Sequence, residues 1–98
     1  DASSPSRYPA VSEDFAVIVD LDVSATDVAD VLGSHDLVEQ VKLFDVYSGD
    51  QIPPGKKSLA YAVHYRAPNR TLSDKEIGKL RNGVIKQLER RLNATLRA

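Results

Sequence analysis

The stretch LFDVYSGDQIPPGKKSLAYAV, residues 43–63, decides how the chain is read. Two β-rich runs flank a connector, residues 48–57, that is too long and too polar to be a two-residue turn and is punctuated by Gly49, Pro53, Pro54 and Gly55. Closing a hairpin over it sets Tyr47 opposite about Ser58 and Asp45 opposite about Ala60. Side chains alternate across a sheet, so the first run presents Val41, Leu43, Asp45 and Tyr47 on one face and Lys42, Phe44 and Val46 on the other. In the second run Ser58, Ala60, Ala62 and His64 oppose Leu59, Tyr61, Val63 and Tyr65. The bulkier apolar set is expected to meet a helical layer. Asp45, Tyr47 and Ser58 are then left together on an open face, above alanines that leave room.

Working outward, residues 15–21 form a β-rich strand, and Ser24 followed by Asp27 marks a helix start. Val28, Val31 and Leu32 share one face of a short helix that Gly33 can end. Strands follow over 38–47 and 58–66. Ser73 with Glu76 is a capping box, after which Ile77, Leu80, Val84 and Leu88 recur at helical spacing, with Lys75, Lys79, Lys86 and Arg90 on other faces. Gly78 and Gly83 are the weakest local points of this helix. Residues 94–97 suit a final edge strand. The order βαββαβ is the α+β, ferredoxin-like split-βαβ arrangement, a four-stranded antiparallel sheet with both helices on one face. Leu59, Val63, Phe44, Val17, Leu80, Val84 and Leu88 are the expected core.

Composition bounds the rest. A chain of 98 residues that is 42% hydrophobic can bury one modest core without metal or disulfide support. Residues 1–6 are small, polar and interrupted by Pro5, and read as a linker; residues 7–98 read as a single domain. The absence of Cys removes disulfide frameworks and thiolate zinc sites. The longest apolar run, Phe15 to Val19, is far short of the roughly 20 residues that span a bilayer, and the start lacks a signal-peptide pattern. A soluble, cytoplasmic protein without a membrane partner is expected.

The net charge of −1 conceals an asymmetry: residues 1–54 hold two basic and eleven acidic side chains, residues 55–98 eleven basic and three acidic. A half this basic can form a phosphate-attracting patch, or it can be only the solvated face of a helix. Asp14, Asp20 and Asp22 lack the glycine-bearing spacing of a calcium loop, so no metal site is expected there. His35 and His64 are distant in sequence and have no recognisable nucleophile or metal ligand beside them. Gly49 and Gly55 do not have the spacing of a phosphate-cradling loop. No catalytic residue is assigned.

The ring, carboxylate and hydroxyl of Tyr47, Asp45 and Ser58 match what an unpaired base needs, a surface to stack on and partners for its polar edge, with Lys56 and Lys57 placed for phosphate. By spacing alone the same residues read equally well as an ordinary amphipathic sheet surface. Arg7-Tyr8-Pro9-Ala10-Val11 with Asp14, then LFDVY through GKKSLA, then RTLSDKEI, then RLNATLR closely resemble, in this order, the carboxy-terminal ferredoxin-like anticodon-binding domain of bacterial phenylalanyl-tRNA synthetase β chains. The middle block is specific, whereas RTLSDKE alone is a generic capped helix start. The resemblance implies that Tyr47 stacks on an anticodon base of phenylalanine tRNA and that Asp45 and Ser58 bond its edge. It implies partners too, the anticodon stem-loop, the rest of the β chain and the α subunit. The domain itself would need no cofactor; the parent ligase would use ATP and magnesium elsewhere. This chain has Ser12-Glu13 where that family carries basic residues, a departure at the segment from which a phosphate contact would otherwise be implied. The alternative is a ferredoxin-like regulatory or protein-interaction module, for which the trio beside Lys56 and Lys57 would have no use.

Overall fold

A computed structural model describes residues 8–97, so the linker assigned to residues 1–6 and Arg7 of the resembling motif lie outside the described residues. The element order is β1 (Val11–Asp20), α1 (Ala25–Leu32), β2 (Val38–Tyr47), β3 (Lys56–Tyr65), α2 (Asp74–Leu92) and β4 (Thr95–Leu96). The strands form one antiparallel sheet in the order β2-β3-β1-β4. This is the expected ferredoxin-like α+β fold. β1 starts four residues earlier than its apolar composition suggests, because Ser12, Glu13 and Asp14 pair with His64, Val63 and Ala62. The partner strand's hydrogen bonds extend it where the side chains do not.

The helix boundaries follow local chemistry. Ser24 caps α1 by accepting from the Asp27 amide at 3.0 Å, and the Gly33 amide donates to the Ala29 carbonyl at 2.9 Å as the helix ends. Ser73 and Glu76 form a reciprocal capping box, each accepting from the other's backbone amide. At the far end Asn93 adopts a left-handed conformation, φ 52°, and the Ala94 amide donates back to the Leu88 carbonyl, turning the chain into β4. Phe15, Val17 and Val19 of β1 and Leu59, Tyr61, Val63 and Tyr65 of β3 share one buried cluster with Val28, Val31 and Leu32 of α1 and Ile77, Leu80, Val84 and Leu88 of α2. Both helices therefore cover the same face of the sheet.

One expected core residue is wrong. Phe44 is 55% exposed, and the strict alternation expected for β2 fails. Leu43 pairs with Tyr61, yet Asp45 pairs with Ala60, so Phe44 is the extra residue of a β-bulge. A similar irregularity lies between Val38 and Gln40, leaving Glu39 to bond Arg66 at 2.6 Å. Cross-strand partners share a face. Val41 and Leu43 thus stand on the helical side with Val63 and Tyr61, whereas Asp45 and Tyr47 stand on the open side with Ala60 and Ser58. Simple alternation puts all four together; the inserted residue reverses the alternation between Leu43 and Asp45. Both irregularities fall on the edge strand, where they also disfavour pairing with another chain.

Two buried tyrosines carry a pH consequence. Burial pushes the phenols of Tyr61 and Tyr65 up to about 12. The Tyr61 hydroxyl donates to the Ala25 carbonyl at 2.7 Å, while the Tyr65 hydroxyl is buried with no hydrogen-bond partner among the described residues. Folded tyrosines that bind protons more tightly than unfolded ones contribute stability that is complete below about pH 10 and is lost as pH rises towards 12. Urea midpoints should therefore decline above pH 10, and less steeply in Tyr65→Phe, which removes an unpaired buried hydroxyl at no hydrogen-bonding cost. The bulge has its own test by urea denaturation. Leu59→Ala, at a site 1% exposed, should cost about 2 to 5 kcal/mol. Phe44→Ala should stay within about 0.5 kcal/mol of the wild type, and a core-sized loss there would restore the unbulged register.

Candidate functional site

The open face is built from cross-strand rows. One row runs Tyr47, Ser58, Ile18, Thr95 across β2, β3, β1 and β4. The next runs Asp45, Ala60, Ala16 and, by way of the Arg97 amide donating to the Ala16 carbonyl at 2.7 Å, Arg97. Strands lie about 4.8 Å apart, so the two ends of a row are separated by roughly 14 Å. Only methyl groups project between them in the second row. The result is a shallow trough floored by Ala16 and Ala60, with Asp45 on one side and the backbone of Arg97 on the other.

The connector positions the ring. Pro54 and Gly55 occupy the centre of a turn closed by the Lys56 amide donating to the Pro53 carbonyl at 3.1 Å, and Gly55 at φ 80° supplies the left-handed conformation that such a type II turn demands. Before it, Gly49 at φ 123° turns the chain beneath Tyr47, where an added Cβ would lie 3.6 Å from the phenol oxygen. The Tyr47 hydroxyl donates to the Asp50 carbonyl at 3.0 Å. Residues 48–55 therefore fold back on the ring that precedes them and fix its tilt, which explains a connector longer than a hairpin needs.

The Arg97 guanidinium reaches across β1 and β3 to lie 5.7 Å from the centroid of the Tyr47 ring, within cation–π range. Sequence reasoning missed this residue. The signal was present, since Arg97 alternates onto the face of Thr95, but it becomes meaningful only when β4 is known to lie beside β1. Ser58 sits beneath this pair between Ile18 and Tyr47 and is only 3% exposed.

Of the two lysines assigned to phosphate, Lys56 is on the open face opposite Asp20 and makes an ion pair with it at 2.5 Å. Lys57 pairs with the core residue Val19 and so starts from the helical side. The trio of Asp45, Tyr47 and Ser58 is brought together with Lys56 on its face, and Lys57 is not. The charges of the open face as a whole are balanced, Lys42, Lys56 and Arg97 against Asp14, Asp20 and Asp45. Glu13, within the departing segment, points to the helical side and accepts two bonds from Arg81, both at 2.6 Å. That carboxylate holds the Arg81 guanidinium above its ordinary value.

His64 shares a hydrogen bond with the Ser12 hydroxyl at 2.8 Å, and His35 accepts from the Leu37 amide at 3.0 Å. Among the described residues no three His, Asp or Glu side chains gather in a way that could hold a metal ion. Nor is any helix among them long and apolar enough to cross a membrane.

A model of the ferredoxin-fold anticodon binding domain matches residues 6–97. The chain belongs to that family. It is 46% identical over 93 residues to the phenylalanine–tRNA ligase beta subunit of Clostridium tetani, covering 93% of this chain and 12% of that protein. The corresponding subunit of Syntrophotalea carbinolica is 45% identical over 97% of this chain, and that of Thermobifida fusca 43% over 94%, covering 12% and 11% of those proteins. The chain spans about an eighth of the length of the curated relatives it matches.

Within this anticodon-binding domain the contact between Arg97 and Tyr47 is a surface feature. Arg97→Ala should cost no more than about 1 kcal/mol of stability, the scale of an exposed cation–π contact. It should shift the ring-proton resonances of Tyr47 while leaving those of the buried Tyr61 and Tyr65 in place; unmoved Tyr47 resonances would show that the two side chains do not meet in solution.

Proposed function

We propose that this chain is the anticodon-binding part of the β subunit of a phenylalanine–tRNA ligase, and that it holds the anticodon region of phenylalanine tRNA on its open sheet face. The observation that supports this most is the methyl-floored trough, with an anchored aromatic ring and a carboxylate on β2, a hydroxyl on β3 and a guanidinium arriving from β4. A splayed-out base stacks on Tyr47, an interaction of roughly 1 to 3 kcal/mol. Asp45 accepts from a base N–H, and the Ser58 hydroxyl bonds the same edge. Arg97 occupies the ring face in the free protein, so an entering base takes its place there and leaves the guanidinium to close over the base or to meet a phosphate. Lys56 contributes a phosphate interaction from the same face, and Lys57 from the other side of the hairpin.

The parent enzyme would activate phenylalanine with ATP and magnesium outside these residues and would combine this β chain with an α subunit in an assembly of two copies of each, in the cytoplasm. No residue of this domain enters that chemistry. Its contribution is discrimination, because an unmade edge bond penalises a wrong base while stacking attracts any base.

The test uses anticodon stem-loops varied at each anticodon position and titrated against wild type, Tyr47→Ala and Asp45→Ala, with thermal melts as controls. Tyr47→Ala should stay folded and lose roughly 1 to 3 kcal/mol of binding to every stem-loop. Asp45→Ala should bind nearly as strongly but discriminate less, since the carboxylate selects a donor-bearing edge while repelling the phosphate backbone. Two folded variants that bind all stem-loops as the wild type does would remove the open face from tRNA recognition.

A further inference from the structure

The positive charge of the chain's second half does not lie where the bases would be read. Of its eleven basic side chains, Lys56, Arg66, Arg70 and Arg81 are held in ion pairs, and Arg97 lies over Tyr47. The unpaired cations are concentrated on α2. Lys75, Lys79, Lys86 and Arg90 are all exposed and have no carboxylate within 4.0 Å among the described residues. At 3.6 residues per turn these four fall within an arc of about 60°, diametrically opposite the buried Ile77, Val84 and Leu88. The stripe runs about 22 Å along the helix, given a rise of 1.5 Å per residue. It forms the outer surface of the helical layer, on the opposite side of the domain from the trough.

This arrangement is unfavourable to the isolated domain. Lys75 with Lys79, and Lys86 with Arg90, are like charges one turn apart, which repel. Lys75 also stands in the first turn, where the helix dipole disfavours a cation. Asp74 and Glu89 flank the stripe, but neither is in an ion pair with it, and Glu76 is engaged by Arg70 at 2.5 Å. Beside the stripe, exposed Gly83 has open space where a Cβ would be, so internal packing does not require a glycine that weakens the helix. A side-chain-free step next to four unneutralised cations lets a charged backbone lie close against the helix. The open sheet face, by contrast, has no net charge to attract one.

We infer that the outer face of α2 is a second RNA-binding surface, one that holds the phosphate backbone of a double-stranded RNA segment without reading its sequence. A linear array of cations that pairs with nothing internal is complementary to a linear array of phosphates, whereas a protein partner would be expected to find apolar side chains as anchors, and between Lys75 and Arg90 this outer arc has none. The choice of RNA as the polyanion rests on the anticodon-binding reading above. The two surfaces face opposite ways across a two-layer domain, so one short stem-loop docked on the sheet does not cover α2. The stripe is therefore free for a helical region of the same RNA beyond the loop, or for a second RNA.

The experiment titrates the 98-residue chain with a blunt RNA duplex of about 16 base pairs, lacking any loop, between about 50 and 200 mM salt. The variants are Tyr47→Ala and the combined Lys75→Gln, Lys79→Gln, Lys86→Gln, Arg90→Gln. Wild type and Tyr47→Ala should bind the duplex alike, with affinity falling steeply as salt rises. The glutamine variant should bind it at least about tenfold more weakly at low salt, with a logarithmic salt slope shallower by about 3 to 4, near 0.9 for each phosphate that is no longer neutralised. Its thermal midpoint should equal or exceed the wild-type value, because two repelling pairs are gone, and it should keep the base discrimination of the stem-loop series. A glutamine variant that binds the duplex with the wild-type slope overturns the inference, as does a wild type that leaves the duplex unbound. If polyglutamate binds in its place and the glutamine variant loses that binding, the stripe belongs to an acidic protein surface. Failure of the Tyr47 and Asp45 variants to alter stem-loop binding would sink the sheet-face reading alone, because the duplex titration reports only on α2.

Discussion

The β-bulge at Phe44 is the constraint on which the candidate site depends. β2 turns Val41 and Leu43 to the helical side of the sheet and Asp45 and Tyr47 to the open side, yet all four positions have the same parity. A regular strand of period two would send all four to one side. One extra residue resolves the conflict locally. Phe44 leaves the ladder and stands 55% exposed, while the pairs Leu43–Tyr61 and Asp45–Ala60 keep their places against β3. Without it, Asp45 and Tyr47 would project towards the helical layer, and the open face would lose its carboxylate and its ring.

The other parts of the site rely on this placement. With Tyr47 above the sheet, the connector can bend back at Gly49 and bond the phenol through the Asp50 carbonyl, so that a side chain which would otherwise swing freely has a fixed tilt. With Asp45 opposite Ala60, the adjoining alanine of β1 continues a floor of methyl groups to the edge of the sheet, and the Arg97 side chain crosses it to reach the ring. Rigidity comes from beneath. The same β1 and β3 strands bury Phe15, Val17, Val19, Leu59, Tyr61 and Val63 against both helices, so the trough sits on the best-packed part of the molecule.

Charge is distributed as unevenly as shape. On the open face cations and carboxylates alternate and cancel, which suits recognition by hydrogen bond and stacking, where a strong field would attract every nucleic acid alike. On α2 the cations are left together and unopposed. Glu13 does not join the sheet's open surface; its partly buried pair with Arg81 ties β1 to α2. Of the Ser12-Glu13 segment, Ser12 stays on the open face, bonded to His64, and only Glu13 turns to the helices.

The sequence by itself determined the order of elements, both helix starts and the faces of β3. These depend on local chemistry: a serine whose oxygen caps an amide, a hydrophobic period of 3.6, and strict alternation in a central strand paired on both sides. The shared face of Asp45, Tyr47 and Ser58 was legible because they lie next to the hairpin whose closure sets their register, whereas the family resemblance rested on motif blocks spread along the chain. Tertiary structure alone decided the rest. A bulge is an agreement between two strands about where to skip a residue, and nothing in the composition of Val41 to Tyr47 announces it. Arg97 acquires a role only through the strand order β2-β3-β1-β4, which brings the last residues of the chain across from the middle ones. The neutrality of one face and the isolation of charge on the other depend on which cations find carboxylates in space, and Glu13 with Arg81, 68 positions apart, is a pairing that only folding makes.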